Sequence, residues 1–280
     1  MRWLTSAESA GGGNNEKGEL MTNQHIMSIA MRQSALDLNA DISDFTKEEN
    51  VFVKSGLGAL ARKYYSEPIA CNLVSYGSNI VVTAQKELLS EIRQYIKNVP
   101  NIENCFETPG LYPLNDRLKK FGAEICFMAE YFLPDMEDIF RLEYSCNYEL
   151  TILKPKDFAN LYLPEWENAL CAKRKNLDVL AVGAYDKGKL VGLAGCSADC
   201  DTMWQIGVDV LPEYRRQRIA TVLTNRLAKE ILQRGKVPFY CAAWSNIKSV
   251  RNAIRSGFRP GWVEMTAKKI EYVQDMIESS

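Results

Sequence analysis

The sequence lacks the residues that several common enzyme classes require. Its single histidine, His25, lies in a polar N-terminal segment. A Ser-His-Asp triad, a Cys-His dyad and a His-rich zinc site are therefore disfavoured. General acid or base chemistry would fall to carboxylates, tyrosines, cysteines or water.

An excess of charge of either sign is also missing. The 34 Lys and Arg residues are balanced by 35 Asp and Glu residues. No global positive field exists to hold nucleic acid or an anionic membrane, so neither is expected as a partner. Any anion site must be local.

Long apolar runs are absent. Residues 179–184 form one of the longest, whereas a membrane-spanning helix needs about 20 residues. Residues 1–24 are polar and rich in Gly, Asn and Glu, without the apolar core of a secretory signal. These features predict a cytoplasmic protein without a membrane anchor.

Cysteine is present eight times but is scattered, and several cysteines lie inside apolar, strand-like runs. This usage favours buried free thiols. The spacing of Cys196 and Cys200 suggests a metal site, but no second paired-ligand motif completes one. We therefore predict no metal.

The 280 residues, 46% of them hydrophobic, suffice for one large domain or two ordinary ones. The pattern predicts a disordered leader over 1–26, an N-terminal α/β domain over 27–145 and a second domain over 146–280. Apolar spacing predicts helices over 51–65 and 156–176. Hairpins are predicted around Gly77-Ser78 and Asp186-Lys187-Gly188.

The clearest helix, 219–232, follows a strand over 202–210 after a short turn. The first amides of a helix have no intrahelical acceptor and point outward, which makes an anion site. Arg215, Arg216 and Arg218 add positive charge beside these amides. A diphosphate is the anion that this arrangement favours.

The residues Val210-x-Pro212-x-x-Arg215-x-x-Arg218-x-Ala220 resemble the acetyl-CoA signature of GNAT acetyltransferases, in which Arg or Gln is followed by x-x-Gly-x-Gly/Ala. Downstream, Asn246-x-x-Ser249, Arg251 and Gly257-Phe258 are similar to the family's second element, a helix that packs along the pantetheine arm. The resemblance covers about 148–267.

The resemblance implies an α/β (α+β) fold with a mixed, mainly antiparallel sheet flanked by helices. The sheet would splay open between strands 206–210 and 237–244, and acetyl-CoA would enter there as cosubstrate. Backbone groups of Val208 and Val210 would bond the pantetheine, and amides of 216–221 the pyrophosphate. The implied cofactor-binding residues are Val208, Asp209, Val210, Arg215, Arg216, Gln217, Arg218, Ile219, Ala220, Thr221, Asn246, Ser249 and Arg251.

Two positions depart from the family pattern. Arg218 stands where the family has Gly, so its side chain must point away from the phosphate or bond it. The tyrosine that many members use to protonate the leaving thiolate falls here on Ala253. Tyr240 and Cys241 are candidate substitutes, and solvent is another. Glu213 and Asp201, together with Asp199 and Asp209, are candidate bases acting through water.

Two functions are carried forward. One is N-acetyl transfer from acetyl-CoA to a primary amine of a small molecule or peptide. The other is a non-catalytic acyl-CoA-binding or sensing module. The partner hypotheses are the amine and a second copy of the chain in a homodimer. The smaller first domain is read either as a diverged copy of the same fold or as an unrelated α/β cap over the acceptor pocket.

Overall fold

One mixed sheet runs through the part of the chain that the computed structural model describes, residues 21–65 and 69–278. Its strands are β1 Val51–Lys54, β2 Cys71–Ser75, β3 Val81–Ala84, β4 Ala123–Pro134, β5 Glu149–Leu153, β6 Asp178–Asp186, β7 Lys189–Ser197, β8 Met203–Val210, β9 Val237–Ala242 and β10 Phe258–Lys269. The helices are α1 Asn23–Leu38, α2 Leu89–Lys97, α3 Leu111–Lys119, α4 Met136–Arg141, α5 Ile219–Leu232, α6 Ile247–Arg255 and α7 Ile270–Glu278.

The strand order is β1-β3-β2-β10-β4-β9-β8-β7-β6-β5. All neighbours are antiparallel except β1 with β3 and β8 with β9. The prediction of a mixed, mainly antiparallel sheet flanked by helices is therefore confirmed.

Strand β10 joins the two halves of the sequence in this sheet. It pairs with β2 on one side and with β4 on the other, and both partners belong to the first half. The sheet is thus continuous across the predicted boundary at 145/146. The three-part division of the chain stays a prediction.

Turn chemistry and apolar spacing fix the second half of the sheet. Lys187 and Gly188, with φ values of +50° and +86°, close the β6–β7 hairpin, where positive φ matches the twist of the strands. In α5, Ile219, Leu223 and Leu227 recur on one stripe and are buried against the sheet. The predicted hairpins and the predicted helix 219–232 are confirmed.

The two other helix predictions are wrong. Residues 51–54 form β1, which pairs with β3, and Gly56 and Gly58 follow in an irregular segment. Residues 156–176 contain only short 3₁₀ turns, Pro164–Trp166 and Ala172–Leu177. Because Trp166 and Leu170 are nevertheless buried, the apolar spacing there marked burial and not a helix.

The predicted leader is too long. Helix α1 begins at Asn23, Thr22 caps it by accepting from the amide of His25 at 3.2 Å, and Ile26 is buried. The prediction therefore fails for residues 23–26, whereas residues 1–20 lie outside the described residues. Helix α7, at the other end of the described chain, was not predicted.

The sheet separates two apolar clusters. Tyr240 and Ala242 of β9 belong to the cluster that packs on α5, and Phe239 belongs to the cluster that packs on α1. Cys196 and Cys200 fall in different clusters of this kind. Within 21–65 and 69–278, no group of three or more His, Cys, Asp or Glu side chains could hold a metal ion.

None of the helices in the described ranges combines the length and the apolar character that crossing a bilayer requires.

Candidate functional site

A gap opens in the sheet between β8 and β9. Their parallel pairing runs from Met203 and Val237 to Ile206 and Tyr240 and then stops, although β8 continues to Val210. The predicted splay between these two strands is therefore confirmed.

The backbone groups that face this gap follow from the pairing of the strand ends. The carbonyl of Thr202 accepts from Val237 on the β9 side, and the amide of Leu211 donates to Val191 on the β7 side. Successive residues of a strand direct their backbone groups to opposite sides. The amides and carbonyls of Val208 and Val210 therefore face the gap, as the resemblance requires.

One of these acceptors is already occupied. Nε of Arg215 donates to the carbonyl oxygen of Val210 at 3.0 Å, which closes the end of β8 with a side chain of the following turn. The amide and carbonyl of Val208 and the amide of Val210 remain for a guest that lies along the strand.

The turn after β8 ends on the N-terminus of α5. The first intrahelical bond runs from the amide of Val222 to the carbonyl of Arg218 at 3.0 Å, and no side chain caps the helix. The amides of 219–221 consequently have no acceptor within the helix. Arg215, Arg216 and Arg218 are exposed around them. The free amides, the helix dipole and the exposed guanidinium groups all favour the binding of an anion here.

The departure at Arg218 has a backbone consequence. Arg216 and Arg218 have φ values of +66° and +64°, in the left-handed region that favours glycine. The position where the family carries glycine is thus one where glycine is unstrained. Arginine there supplies an exposed charge at the cost of about 1–2 kcal/mol of backbone strain.

Two tyrosines that the sequence reasoning missed hold this turn in place. The hydroxyl of Tyr148 donates to Oε1 of Gln217, and the hydroxyl of Tyr214 donates to Oδ2 of Asp186 at 3.0 Å. The two rings meet edge to face with centroids 5.8 Å apart. Only the pairing of β5 with β6 brings Tyr148 to the turn, so no local signal could have identified it.

Helix α6 borders the gap on the same face as α5. Oδ1 of Asn246 accepts from the amide of Ser249 at 3.2 Å, so Asn246 caps the helix. Asn252 accepts from the hydroxyl of Thr221 at 3.1 Å and donates to Thr224 at 3.0 Å, which ties α6 to α5. Arg251 is exposed.

Tyr240 and Cys241 lie on opposite faces of β9 beside the gap. The Tyr240 hydroxyl is 2.9 Å from Oγ of Ser249, and burial raises the pKa of Tyr240. Burial raises the pKa of Cys241 to about 12, so this thiol stays protonated near neutral pH. Its sulfur accepts from Nε2 of Gln205 at 3.4 Å.

The candidate carboxylates are not gathered at the gap. Glu213 forms an exposed ion pair with Lys189 of β7 at 3.1 Å, and Asp201 precedes the opposite end of β8. Asp209 accepts from the amides of Asn168 and Ala169, each at 2.9 Å, and from the Asn168 side chain at 2.8 Å. Its carboxylate therefore fastens the 163–170 segment to β8.

Asp199 is buried and paired with Arg174 at 3.0 Å.

Comparison with known proteins agrees with this geometry. Residues 133–258 match the model of the acetyltransferase (GNAT) family. No protein with a curated description matches the chain. Similar solved structures include a GNAT-family protein from Novosphingobium aromaticivorans (18% identity, TM-score 0.42) and a GCN5-related N-acetyltransferase from Kribbella flavida (16%, 0.46).

The matched parts cover 52% and 58% of this chain and 66% and 64% of those two proteins, just under two thirds of their length. A Drosophila protein matches over 91% of this chain and 92% of its own, at 12% identity and a TM-score of 0.46. The family match includes β8, the turn 211–218, α5, β9 and α6. Residues 133–258 of this chain form a domain of the acetyltransferase (GNAT) family.

Proposed function

We propose that the protein transfers an acetyl group from acetyl-CoA to a primary amine of a small molecule or peptide. The observation that carries this proposal is the junction of an unpaired strand edge, at Val208 and Val210, with the free first-turn amides of α5. A strand edge fits the amides of a pantetheine arm, and a helix N-terminus fits a pyrophosphate.

The proposed reaction is direct. The amine nitrogen attacks the thioester carbonyl, the carbon–sulfur bond breaks, and the sulfur leaves as a thiolate that takes a proton. The gap orients the two reactants, which supplies much of the rate enhancement. Glu213 and Asp201 do not line the gap, so we assign deprotonation of the amine to water.

We assign protonation of the leaving sulfur to Tyr240. Its hydroxyl contacts Ser249, and Ser249 and Ala253 share a face of α6 because they are four residues apart. The hydroxyl thus lies beside the position where the family carries its tyrosine. Because burial raises the Tyr240 pKa, this group is protonated at neutral pH and can donate.

The anion site is tested by charge reversal at Arg216. Arg216→Glu keeps a side chain at the same positive φ but places a negative charge beside the amides of α5. We expect CoA affinity to fall about tenfold or more in a calorimetric titration, the loss of one charged contact. Lys86→Glu, an exposed charge reversal in the first half, is the matched control. Equal affinities for the two variants would contradict the assignment.

The second candidate is a CoA-binding module without catalysis, which the buried, hydroxyl-free Ala253 favours. The two candidates differ in turnover. Acetyl-CoA consumption is measured against polyamines, amino acids, aminoglycosides and peptides, with Tyr240→Phe beside the wild type. Tight CoA binding with no turnover on any amine would favour the second candidate.

A further inference from the structure

A buried arginine lies on the face of the sheet opposite α5. Arg62 is 1% exposed, and its guanidinium carbon is 5.2 Å from the ring centroid of Phe239 and 5.7 Å from that of Trp262. Phe239 belongs to β9 and Trp262 to β10. A charge this deeply buried is normally paired on all of its donors.

The pairing of Arg62 is incomplete. Nη1 donates to the Tyr64 hydroxyl at 3.1 Å and lies 3.1 Å from Oδ2 of Asp37, an ion pair without hydrogen-bond geometry at that oxygen. Among the residues that the structure describes, Nε and Nη2 have no hydrogen-bond partner, although both are sealed from solvent. Nε and Nη2 form one edge of the planar group, the edge that grips the two oxygens of a carboxylate side by side.

The position of Arg62 is close to the gap. Phe239, which lies under the guanidinium, pairs with Gln205, one residue before the pairing of β8 and β9 ends. Cys241, on the same face and two residues further, is about 7 Å along the strand. The guanidinium group of Arg62 therefore lies near the point where the strands separate, on the face of the sheet opposite α5, where helix α1 also packs.

A carboxyl group lies in the same cluster. Oε1 of Glu264 accepts from the Tyr65 hydroxyl at 3.0 Å and from Nδ2 of Asn72 at 2.6 Å. Glu264 is on β10, two residues from Trp262, and therefore on the same face. Arg62 and Glu264 together suit a guest that carries both a carboxylate and an ammonium group.

We propose that Nε and Nη2 of Arg62 bind a carboxylate of the substrate, so that the acceptor is an amine that also carries a carboxylate. This inference rests on the proposed function, because it places the acceptor on the face of the sheet opposite α5. Because Arg62 is buried, binding at this site requires the irregular segment 55–65 to open locally. A carboxylate on the acyl group is the other source of the same chemistry.

The first test uses the wild-type protein and matched amines. β-Alanine is compared with ethylamine at equal free-base concentration and saturating acetyl-CoA. We expect kcat/KM to be at least about tenfold higher for β-alanine, the effect of bonds to a charged group. In a second arm, succinyl-CoA is compared with acetyl-CoA on ethylamine. A preference for succinyl-CoA alone would place the bound carboxylate on the acyl group, and no preference in either arm would overturn the inference.

Calorimetric titration in the presence of CoA separates this inference from the proposed function. Binding of β-alanine but not ethylamine, without turnover of any amine, would sustain the Arg62 site and refute the acetyltransferase. Turnover of β-alanine and ethylamine with equal kcat/KM and equal affinity would refute the Arg62 site and leave the acetyltransferase proposal standing.

The second test changes Arg62 itself. Arg62→Lys keeps the charge beside Asp37 but removes the two-donor edge. We expect KM for β-alanine to rise about tenfold or more, so that the preference for β-alanine over ethylamine falls by the same factor. Arg93→Lys is the control, because Arg93 also lies over an aromatic ring, Phe52, at 4.8 Å. An unchanged KM for β-alanine in a folded Arg62→Lys protein would overturn the inference, and the wild-type comparison decides it if the variant does not fold.

Discussion

Two parallel strand pairs in the sheet end differently. β1 and β3 pair along all four residues of each strand, whereas β8 has eight residues and pairs with β9 over four. The helices that follow β3 and β8 differ in the charge of their first turn. α2 carries Glu91 in its first turn, and α5 carries no acidic residue there.

The comparison shows how a parallel strand followed by a helix can become a binding site. Both halves of the chain place a helix after a strand of a parallel pair. In the first half, the strand edge is paired and a carboxylate lies near the positive end of the helix dipole. In the second half, both are left open, so a guest can supply the missing acceptors and the negative charge.

The largest effect is expected where β8 is pressed against another backbone. A Cβ at Gly207 would lie 1.8 Å from the carbonyl oxygen of Asn168, so Gly207→Ala must displace β8 or the 163–170 segment. We expect the free energy of unfolding to fall by about 3 kcal/mol or more in urea denaturation. Gly58→Ala is the control, because its Cβ would be 3.6 Å from the nearest atom. Similar losses for both variants would refute this account.

A second prediction concerns pH, because each half buries one carboxyl with a raised pKa. Desolvation raises the pKa of Asp37 and of Asp178 to about 6. Between pH 4 and 6 the folded state then binds more protons than the unfolded state, so stability falls as pH rises. For Asp178 the loss is about 1–3 kcal/mol.

Urea denaturation at pH 4.5 and pH 7 measures this loss. Asp178→Asn should remove the contribution of Asp178 to this pH-dependent loss of stability and leave the contribution of Asp37. The Asn oxygen can still accept from the Tyr162 hydroxyl and the Cys171 amide, the donors that Asp178 contacts at 3.1 and 2.9 Å. A pH dependence identical to that of the wild type would contradict the raised pKa.

A third prediction gives α5 the first-turn acid that α2 already has. Ala220→Glu should stabilise the fold slightly, by about 0.3–1 kcal/mol, and weaken CoA binding about tenfold, because the new carboxylate competes for the same amides. Ser90→Glu, at the second position of α2, is the matched control and should leave CoA affinity unchanged. Unchanged CoA affinity in Ala220→Glu would mean that the pyrophosphate binds elsewhere.

The smallest effect is expected at Arg218. Arg218→Gly removes the side chain together with the positive-φ strain, whereas Arg218→Ala removes the side chain and keeps the strain. We expect the Gly variant to be more stable than the Ala variant by about 1 kcal/mol, measured as a difference in denaturation midpoints. An Ala variant as stable as the Gly variant would show that this backbone is not strained.

Local signals were sufficient for the elements that build the anion site. Three features depend only on neighbours within a few residues. They are the apolar stripe of Ile219, Leu223 and Leu227, the hairpin at Lys187-Gly188 and the cap at Asn246. The helix predictions failed at 51–65 and 156–176, where distant contacts decide the structure. Val51 becomes a strand because β3 lies beside it, and Trp166 is buried without a helix.

The sequence by itself determined the order strand, turn, helix and the charges at the turn, because these depend on residues close together in the chain. Only the tertiary structure decided that the pairing of β8 with β9 stops at Ile206 and that Arg218 adopts a positive φ. It also placed the guanidinium group of Arg62 against the rings of Phe239 and Trp262, which lie some 180 to 200 residues further along the chain. Pairing across a sheet and burial beneath it are set by residues far apart in the chain, and no local pattern contains them.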